Sequence, residues 1–264
     1  FSVLLTNRVI MGEPDMRMEF KDSYGLGWGN IITALRWNYL ITNKLFSNTT
    51  ITYSKYDFDV TIESSAEELN SHVKETDYFR YFSGIEDVGA KIDFDYFLST
   101  RHSVKFGTGY TFHHFSPGVT TFRYGTQQPG EGLDTIVGDM KVRANELVMY
   151  AEDNIDLTSR LKMNAGVRLS YFNVQDTNYF VFQPRLSLRY MATDDLSFKI
   201  SYSKMAQFVH LLTTSAISLP TDLWLPVTRR YEPPVSHQVA IGSGFLIPGD
   251  LEVTVEAFYK TMDN

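Results

Sequence analysis

Hydrophobic and polar residues alternate through most of segment 158–174 (TSRLKMNAGVRLSYFNV). From 161 to 171 the odd positions carry apolar side chains, while the even positions between them carry Lys, Asn, Gly, Arg and Ser. A period of two predicts a β-strand with one apolar face and one polar face. The pattern leaves two alternatives open, because a soluble sandwich buries the apolar face in a core whereas a membrane barrel turns it towards lipid.

Similar alternation recurs along most of the chain and predicts about eleven strands in an all-β protein. In an up-and-down array of eleven, the first and last strands run in the same direction, so an all-antiparallel closure is impossible. We therefore expect part of a larger antiparallel transmembrane barrel. The predicted strands cover 1–10, 28–40, 45–63, 79–98, 103–115, 142–156, 161–174, 181–191, 196–208, 236–246 and 251–262.

The connections between these segments alternate between two lengths, which favours the membrane alternative. Outer-membrane barrels have short periplasmic turns and longer extracellular loops, whereas a soluble sandwich has no reason to collect its long loops at one end. The predicted short turns are 41–44, 99–102, 157–160, 192–195 and 247–250. The predicted long loops are 11–27, 64–77, 116–141, 175–180 and 209–235.

The alternation changes phase in one predicted strand. Ile51 and Tyr53 are odd, but Tyr56, Phe58 and Val60 are even. Such a change indicates either a β-bulge or a strand that leaves the membrane, and we favour the second because the strand exceeds the 9 to 11 residues needed to span. The sequence SAEE at 65–68 fits a capping box and suggests a short helix in the next loop, with a disordered acidic loop as the alternative.

Composition excludes several classes of protein. No run of about 18 apolar residues occurs among the 264 residues, so the sequence predicts no membrane-spanning helix. A net charge of -7 argues against nucleic-acid binding. Cysteine is absent, which excludes a disulfide scaffold or a thiolate zinc site. The first residue is Phe, with no basic segment or cleavage site after it, so we expect any export signal to have been removed or to lie outside this sequence.

Four segments of the second half together resemble TonB-dependent outer-membrane receptors, most closely those of Bacteroidetes-type bacteria. The resemblance covers 144–264 well, and the first half matches in strand pattern only. It rests on NELVMYAEDNIDLTSRLKMNAGVRLSYF (145–172), FQPRLSLRYMATDDLSFKISYSKMAQ (182–207), YEPPVSHQVAIG (231–242) and LEVTVEAFYKTMDN (251–264).

This resemblance implies that 1–264 is about half of a barrel of about 22 strands, without the plug domain. It further implies a Gram-negative outer-membrane receptor for TonB-energised uptake of a scarce siderophore, cobalamin, oligosaccharide or peptide. The implied partners are outer-membrane lipid, the TonB complex acting through the plug, the ligand and a surface lipoprotein. A passive porin is the main alternative, followed by an outer-membrane enzyme or a soluble β protein.

The sequence contains no recognisable catalytic motif, and we expect neither an enzyme nor a bound cofactor or metal. His113 and His114 are neighbours on a predicted strand, so they point to opposite faces and cannot chelate one metal without a bulge. The same-face pairs Asp57 with Asp59 and Asp93 with Asp95 could bind calcium, but hydrated or lysine-paired carboxylates of a barrel lumen explain them better.

Aromatic and arginine side chains in two predicted loops are the candidates for ligand binding, because such groups are common binding anchors. Loop packing is the alternative role for each of them. The candidates in loop 116–141 are Phe122, Arg123 and Tyr124, and those in loop 209–235 are Trp224, Arg229, Arg230 and Tyr231.

Overall fold

Fourteen β-strands make up the computed structural model, which describes residues 2–13, 17–70, 73–126, 132–138, 141–214, 221–247, 249 and 251–263. In these ranges no helix is long and apolar enough to cross a membrane. The strands are β1 (Ser2–Met11), β2 (Met18–Thr42), β3 (Leu45–Glu68), β4 (Val73–Phe97), β5 (His102–Thr126), β6 (Gly132–Val137), β7 (Val142–Asp156), β8 (Leu161–Val174), β9 (Thr177–Met191), β10 (Leu196–Ala206), β11 (Val209–Thr214), β12 (Thr221–Pro226), β13 (Val235–Ile247) and β14 (Leu251–Asp263).

Eleven strands form one antiparallel sheet in the order β1-β2-β3-β4-β5-β7-β8-β9-β10-β13-β14. β6 pairs with β5 beside this path, and β11 and β12 form a separate two-stranded sheet. Over the described residues β1 and β14 do not pair with each other, so the sheet is an open part of a barrel wall. The prediction of an all-β antiparallel array of about eleven strands, belonging to a larger barrel, is confirmed.

Four of the five predicted short turns share one local structure, which explains their sequence; the fifth, 247–250, lies partly outside the described residues. At Thr42, Ser99 and Thr158 the hydroxyl oxygen accepts hydrogen bonds from the backbone N–H groups two and three residues later, over 2.9 to 3.2 Å. Thr193 makes the first of these bonds. A side-chain acceptor that satisfies turn N–H groups favours a tight connection between paired strands. Because the strands are antiparallel, all these turns lie at one end of the sheet.

Three of the predicted long loops are largely strand, and a fourth contains a strand hairpin, which corrects the sequence interpretation. β1 and β2 remain paired as far as Met11 and Met18, and β3 and β4 as far as Glu68 and Val73. β5 continues to Thr126 and pairs with β6, while segment 209–235 contains β11 and β12. The sequence interpretation placed loops here because polar residues and glycines interrupt the alternation in these segments.

Two further local predictions are wrong. Segment 175–180 is mostly strand, because β8 and β9 are joined by a two-residue turn in which Gln175 has a φ of 50°. The proposed helix or disordered loop at 65–68 is also strand, and Ser65 pairs with Lys21 on β2 and Thr76 on β4. Pairing on both sides gives the backbone of 65–68 more hydrogen bonds than a single helical turn would provide.

The sheet has two chemically different faces. Cross-strand partners lie on the same face, so the strand register divides the residues into an outer and an inner set. On β8 the outer set contains the apolar odd positions from Leu161 to Tyr171, and the inner set contains Lys162 and Arg168. Ten steps of about 3.3 Å on a strand tilted by about 40° give a height of about 25 Å, which matches the apolar band of a transmembrane barrel.

A polar row on the outer face marks the end of this band. The Tyr110 hydroxyl donates to Asn145 Oδ1 over 2.6 Å, and the Tyr171 hydroxyl donates to Asn178 Oδ1 over 2.8 Å. Asn173 joins the two pairs through hydrogen bonds to both asparagines. Tyrosines with hydrogen-bonded hydroxyls are typical of the membrane–water interface. We call the part of the sheet between this row and the short turns the spanning region, and the part beyond it the extension.

The phase change in β3 coincides with this boundary. The register of β3 against β2 and β4 is continuous across Ser54, without a bulge at that point. Beyond it, Tyr56, Phe58 and Val60 lie on the inner face, while Lys55 and Asp57 lie on the outer face. The expectation of a strand that leaves the membrane therefore agrees with the structure: its 24 residues, at about 3.3 Å each, exceed the hydrocarbon thickness more than twofold.

Candidate functional site

An aromatic wall covers the inner face of the extension. Neighbouring strands contribute rings that contact across the sheet: the centroids of Phe58 and Tyr81 are 6.5 Å apart, and those of Phe79 and Phe122 are 5.2 Å apart. Such pairs stabilise the sheet. Phe58 is buried, whereas the ring of Phe122 is exposed. The members of the wall are Trp28, Tyr56, Phe58, Phe79, Tyr81, Phe122 and Tyr124.

The hairpin of β11 and β12 crosses this inner face, and we call it the crossing hairpin. Trp224 packs edge-on against Tyr56 of β3, with centroids 6.3 Å apart. Four residues further along the chain, just beyond β12, the carbonyl oxygen of Thr228 accepts a hydrogen bond from the Tyr179 hydroxyl of β9 over 2.7 Å. β3 and β9 are five strands apart in the sheet, about 24 Å along its surface. The hairpin therefore narrows the mouth of the barrel.

A buried apolar cluster holds the crossing hairpin to the sheet. Phe172 of β8 stacks on Phe208, which precedes the hairpin, with centroids 4.9 Å apart and planes within 8°. Phe115 of β5 and Val174 of β8 are fully buried in the same cluster, and Val227 is 1% exposed. Because these side chains come from β5, β8 and both ends of the hairpin, their burial fixes the position of the hairpin over the lumen.

An ionic network lies directly below this cluster, on the inner face. His113 Nδ1 is 2.8 Å from Asp87 Oδ1, and its Nε2 is 3.6 Å from Glu146 Oε2. Glu146 also pairs with Arg168 over 3.4 Å. Burial disfavours the charged imidazole, but the two carboxylates outweigh this effect and raise the pKa of His113, just beyond the spanning region, to about 9. Charged His113 therefore links β4, β5 and β7 where the apolar cluster begins.

Carboxylates and lysines pair along the lumen of the spanning region. This pairing was expected for both aspartate pairs and is found for Asp93 and Asp95. Asp93 lies 3.0 Å from Lys91 and accepts a hydrogen bond from Tyr150 over 2.8 Å. Asp95 lies 3.2 Å from Lys105. Asp57, expected in the lumen, lies instead on the outer face of the extension, because the strand has left the membrane there.

The described residues contain no group of three or more His, Asp or Glu side chains that could hold a metal ion. His113 and His114 point to opposite faces of β5, as their adjacency predicts. His113 is buried on the inner face, whereas His114 pairs in register with Glu86 and Arg143 on the outer face. The two imidazoles therefore do not form one site.

Three predicted binding residues lie on β5 rather than in a loop, and the strand separates them. Phe122 and Tyr124 belong to the aromatic wall and are 46% and 50% exposed, so their rings are accessible from the mouth. Arg123 lies on the outer face, where it pairs with Asp134 over 3.1 Å and its guanidinium lies 5.8 Å from the Tyr78 ring centroid. The structure brings Phe122 and Tyr124 together and excludes Arg123 from their surface.

The other four predicted residues belong to the crossing hairpin and the turn after it. Trp224 is partly buried against Tyr56, and its indole N–H has no hydrogen-bond partner among the described residues. Arg229, Arg230 and Tyr231 lie in the turn closed by the backbone pairing of residues 228 and 231, and all three are exposed. The turn presents two guanidinium groups and a phenol near β9, whereas Trp224 supports the hairpin from below.

Sequence reasoning missed the rest of the aromatic wall. Trp28, Phe79 and Tyr81 were assigned to ordinary strand ends, and their common face depends on the register of three strands. The available signal was the phase change after Ser54, which places Tyr56 and Phe58 on the face opposite to Ile51. The phase change predicted that the strand leaves the membrane. It did not reveal that the apolar side chains of the strand then lie on the inner face of the sheet.

A family model described as "TonB dependent receptor-like, beta-barrel" matches residues 11–264. The chain belongs to the TonB-dependent receptor family. The resemblance seen in the sequence is thereby confirmed, as is the assignment to the outer membrane of Gram-negative bacteria, where these receptors lie. The family is one of receptors and transporters. No curated protein sequence matches this TonB-dependent receptor chain.

Solved structures agree on the fold. A variant of the ferric enterobactin receptor PfeA from Pseudomonas aeruginosa aligns with a TM-score of 0.51 at 11% identity, over 100% of this chain and 51% of PfeA. The ferric yersiniabactin uptake receptor FyuA from Yersinia pestis gives 0.51 at 12% identity, over 99% of this chain and 45% of FyuA. At such identities the likeness shows the fold, and this TonB-dependent receptor chain spans about half the length of those receptors.

Proposed function

We propose that this chain forms part of the barrel of an outer-membrane receptor for the TonB-energised uptake of a scarce ligand. The observation that carries the proposal is the mouth: an aromatic wall faces inwards above a charged lumen, and the crossing hairpin narrows the passage between them. Such a wall can bind the ligand at the mouth before the ligand enters the lumen, as an energised importer requires. A passive channel needs no apolar surface for capture at its mouth, because its solutes pass through a water-filled lumen.

The chemistry of the mouth narrows the ligand to molecules with an apolar or aromatic face and anionic or strongly polar groups. Phe122 and Tyr124 offer accessible rings, which stack on planar groups and on sugar faces. Arg229 and Arg230 offer N–H donors that can bind carboxylates, phosphates or catecholates in pairs. Siderophores, cobalamin, oligosaccharides and peptides all include molecules of this kind, so the ligand class is left to experiment.

The partners of the proposed receptor follow from its place in the membrane. We expect outer-membrane lipid against the apolar outer face and the TonB complex acting through a plug in the full-length receptor. A surface lipoprotein is a further expectation, since the extension provides a broad extracellular surface for it. The role of residues 1–264 as a wall of the barrel without the plug remains a prediction about the full-length protein.

Uptake measurements on the full-length receptor test the energised function. The receptor would be produced in a Gram-negative host that lacks its own transporter, and uptake of a labelled ferric siderophore, cobalamin, oligosaccharide and peptide would be compared. We expect one class to accumulate, and its uptake to stop when TonB is deleted or the proton gradient is dissipated. Accumulation that persists without TonB would identify a passive channel instead.

Calorimetry on the same receptor tests the residues. With the ligand found by uptake, Phe122→Ala and Tyr124→Ala should each weaken binding by roughly 2 kcal/mol, the typical cost of truncating a binding anchor. Arg123→Ala is the matched control, because Arg123 lies between them on the other face of β5; Lys199→Ala is the control in the lumen. If both aromatic variants bind like the parent, the wall is not the ligand site.

A further inference from the structure

β6 is an edge strand within the extension. On one side it pairs with residues 120–125 of β5, and it has no second partner in the part of the chain that the structure describes. β8, the next strand of the sheet after β7, ends at Val174 opposite Ala144, before the level of β6 is reached. The rest of the barrel joins the sheet at β1 and β14, and β6 lies at neither of these edges. The backbone groups of β6 that point away from β5 therefore form a free edge.

The sequence of β6 lacks the features that usually protect such an edge. Proteins block edge strands with lysine, proline or a bulge. β6 (GLDTIV) contains neither Lys nor Pro, and its register against β5 is continuous. Its only charged residue, Asp134, already pairs with Arg123 over 3.1 Å. Leu133, Ile136 and Val137 are all more than half exposed. The edge is therefore open to pairing with another extended chain.

The inner side chains of β6 continue the aromatic wall. Leu133 pairs in register with Tyr124 and Thr135 with Phe122, so these side chains share the inner face of the extension. A strand added at the free edge would place every second side chain on this inner face and the others on the outer face. An extended peptide with an apolar residue at every second position therefore matches both the backbone edge and the wall.

The height of β6 excludes membrane lipid as the partner of its free edge. The apolar band of β5 ends at Phe112, and Thr120, where the pairing with β6 begins, follows eight residues later. Eight steps of about 3.3 Å on a strand tilted by about 40° correspond to about 20 Å. The headgroup layer extends about 5 to 8 Å beyond the hydrocarbon. β6 therefore lies beyond the headgroups, on the side from which the proposed ligand arrives.

We propose that the ligand is a peptide in extended conformation, whose backbone pairs with the free edge of β6. This inference rests on the proposed uptake function and selects one of the four ligand classes considered there. A peptide backbone carries N–H and C=O groups at the spacing of a β-strand, whereas cobalamin and oligosaccharides do not. Backbone hydrogen bonds supply affinity, and the apolar side chains that face the wall supply specificity.

Synthetic peptides test the backbone pairing on the full-length receptor in detergent. The probe is a capped peptide of about eight residues, long enough to pair along all of β6, in which Val alternates with Ser and a terminal Lys gives solubility. Two further peptides carry N-methyl groups, one on every Val and the other on every Ser. Successive N–H groups of a strand point to opposite edges, so one of these sets blocks the pairing edge and the other is its matched control.

Calorimetry compares the three peptides. We expect one methylated peptide to bind at least about tenfold more weakly than the unmethylated one, and the other to bind within about threefold of it, because backbone hydrogen bonds supply the affinity. Absence of binding by the unmethylated peptide, or equal binding of all three peptides, would overturn the proposal.

Substitutions in β6 locate the site. Leu133→Ala combined with Val137→Ala should weaken binding of the unmethylated peptide about tenfold, because both side chains lie beside its apolar residues. Ile136→Ala is the matched control, since Ile136 is equally exposed but lies on the outer face of the same strand. Heat-modified migration on gels would confirm that each barrel is folded. Equal binding by the parent and the double variant would exclude β6 as the site.

Uptake measurements separate a failure of this inference from a failure of the proposed function. TonB-dependent uptake of cobalamin or an oligosaccharide, without binding of the peptides, would overturn the peptide assignment and leave energised uptake standing. Peptide uptake that persists without TonB, together with binding that depends on β6, would support the peptide site and overturn the energised function.

Discussion

The spanning region and the extension are built from the same continuous strands, yet their faces carry opposite chemistry. In the spanning region the outer face is apolar and the inner face is charged; in the extension the inner face is aromatic and the outer face is charged. Tyr53 and Tyr56 show the change within one strand, because the odd residue faces outwards and the even one inwards. The backbone pairing is the same on both sides of the boundary, so the surroundings of each face account for the difference.

A single strand can therefore present suitable side chains both to lipid and to water. Lipid surrounds the outer face of the spanning region, where apolar side chains cost least, and hydrated charges fill the lumen. Beyond the membrane both faces meet water, so the apolar side chains collect on the concave side, where the crossing hairpin covers part of them. The inversion thereby creates both an anchored barrel and an apolar surface at its mouth.

The largest effect is expected from removing the apolar cluster below the crossing hairpin. Phe115→Ala should destabilise the barrel by about 3 to 5 kcal/mol, because Phe115 is fully buried and its loss leaves a cavity. Lys105→Ala, on the inner face of the same strand in the spanning region, should cost less than about 1 kcal/mol. Urea unfolding in lipid vesicles measures both. Equal costs would mean that the two inner faces do not differ as described.

A charge on the outer face of the spanning region should cost somewhat less. Val167→Arg places a cation in the apolar band of β8 and should destabilise assembly by about 2 to 4 kcal/mol. Arg168→Val, its neighbour on the inner face, should assemble better than Val167→Arg, although it leaves Glu146 with one partner fewer. Insertion yields into lipid or detergent compare the two. Should both variants insert equally well, the assignment of the apolar face to lipid would fail.

A smaller, pH-dependent effect is expected at the boundary between the regions. The pKa of His113 is raised from its usual 6.5 to about 9, so the stabilisation by charged His113 is complete below about pH 6.5 and is lost as the pH rises through about 9. Unfolding midpoints measured from pH 6 to pH 10 should fall over this range, and His113→Gln should flatten the profile. A parent and a variant with identical profiles would exclude His113 as the cause.

Epitope tags test on which side of the membrane each end of the sheet lies. Of the changes considered, they should have the smallest effect on stability. An epitope inserted between Thr126 and Gly132 should be reachable by antibody on intact cells, because the extension is expected outside. An epitope at Thr158, in a short turn at the other end of the sheet, should react only after the outer membrane is opened. Labelling with the opposite pattern would place the extension in the periplasm and overturn the proposed ligand site.

Much of the strand array could be predicted from the sequence, because alternation is a local property that lipid enforces strictly. The spanning part of β8 and the turn at Thr158 were both visible in the residues themselves. The strand ends in the extension were not, since alternation weakens where water contacts both faces, and segment 65–68 even fits a helix start. The candidate site was found in part: Phe122 and Tyr124 belong to the wall, whereas Arg123 does not.

The sequence by itself determined the class of fold, the lipid-facing residues and the family, because each depends on short patterns read along one strand. Only the tertiary structure decided that Tyr56, Phe79 and Phe122 form one surface, since their neighbourhood depends on the register of three strands paired over long distances. It also decided the path of the crossing hairpin, which depends on Phe172 of β8 stacking on Phe208 on the inner face of the sheet. Contacts between residues distant in sequence carry no periodic signature, so no local pattern could have revealed them.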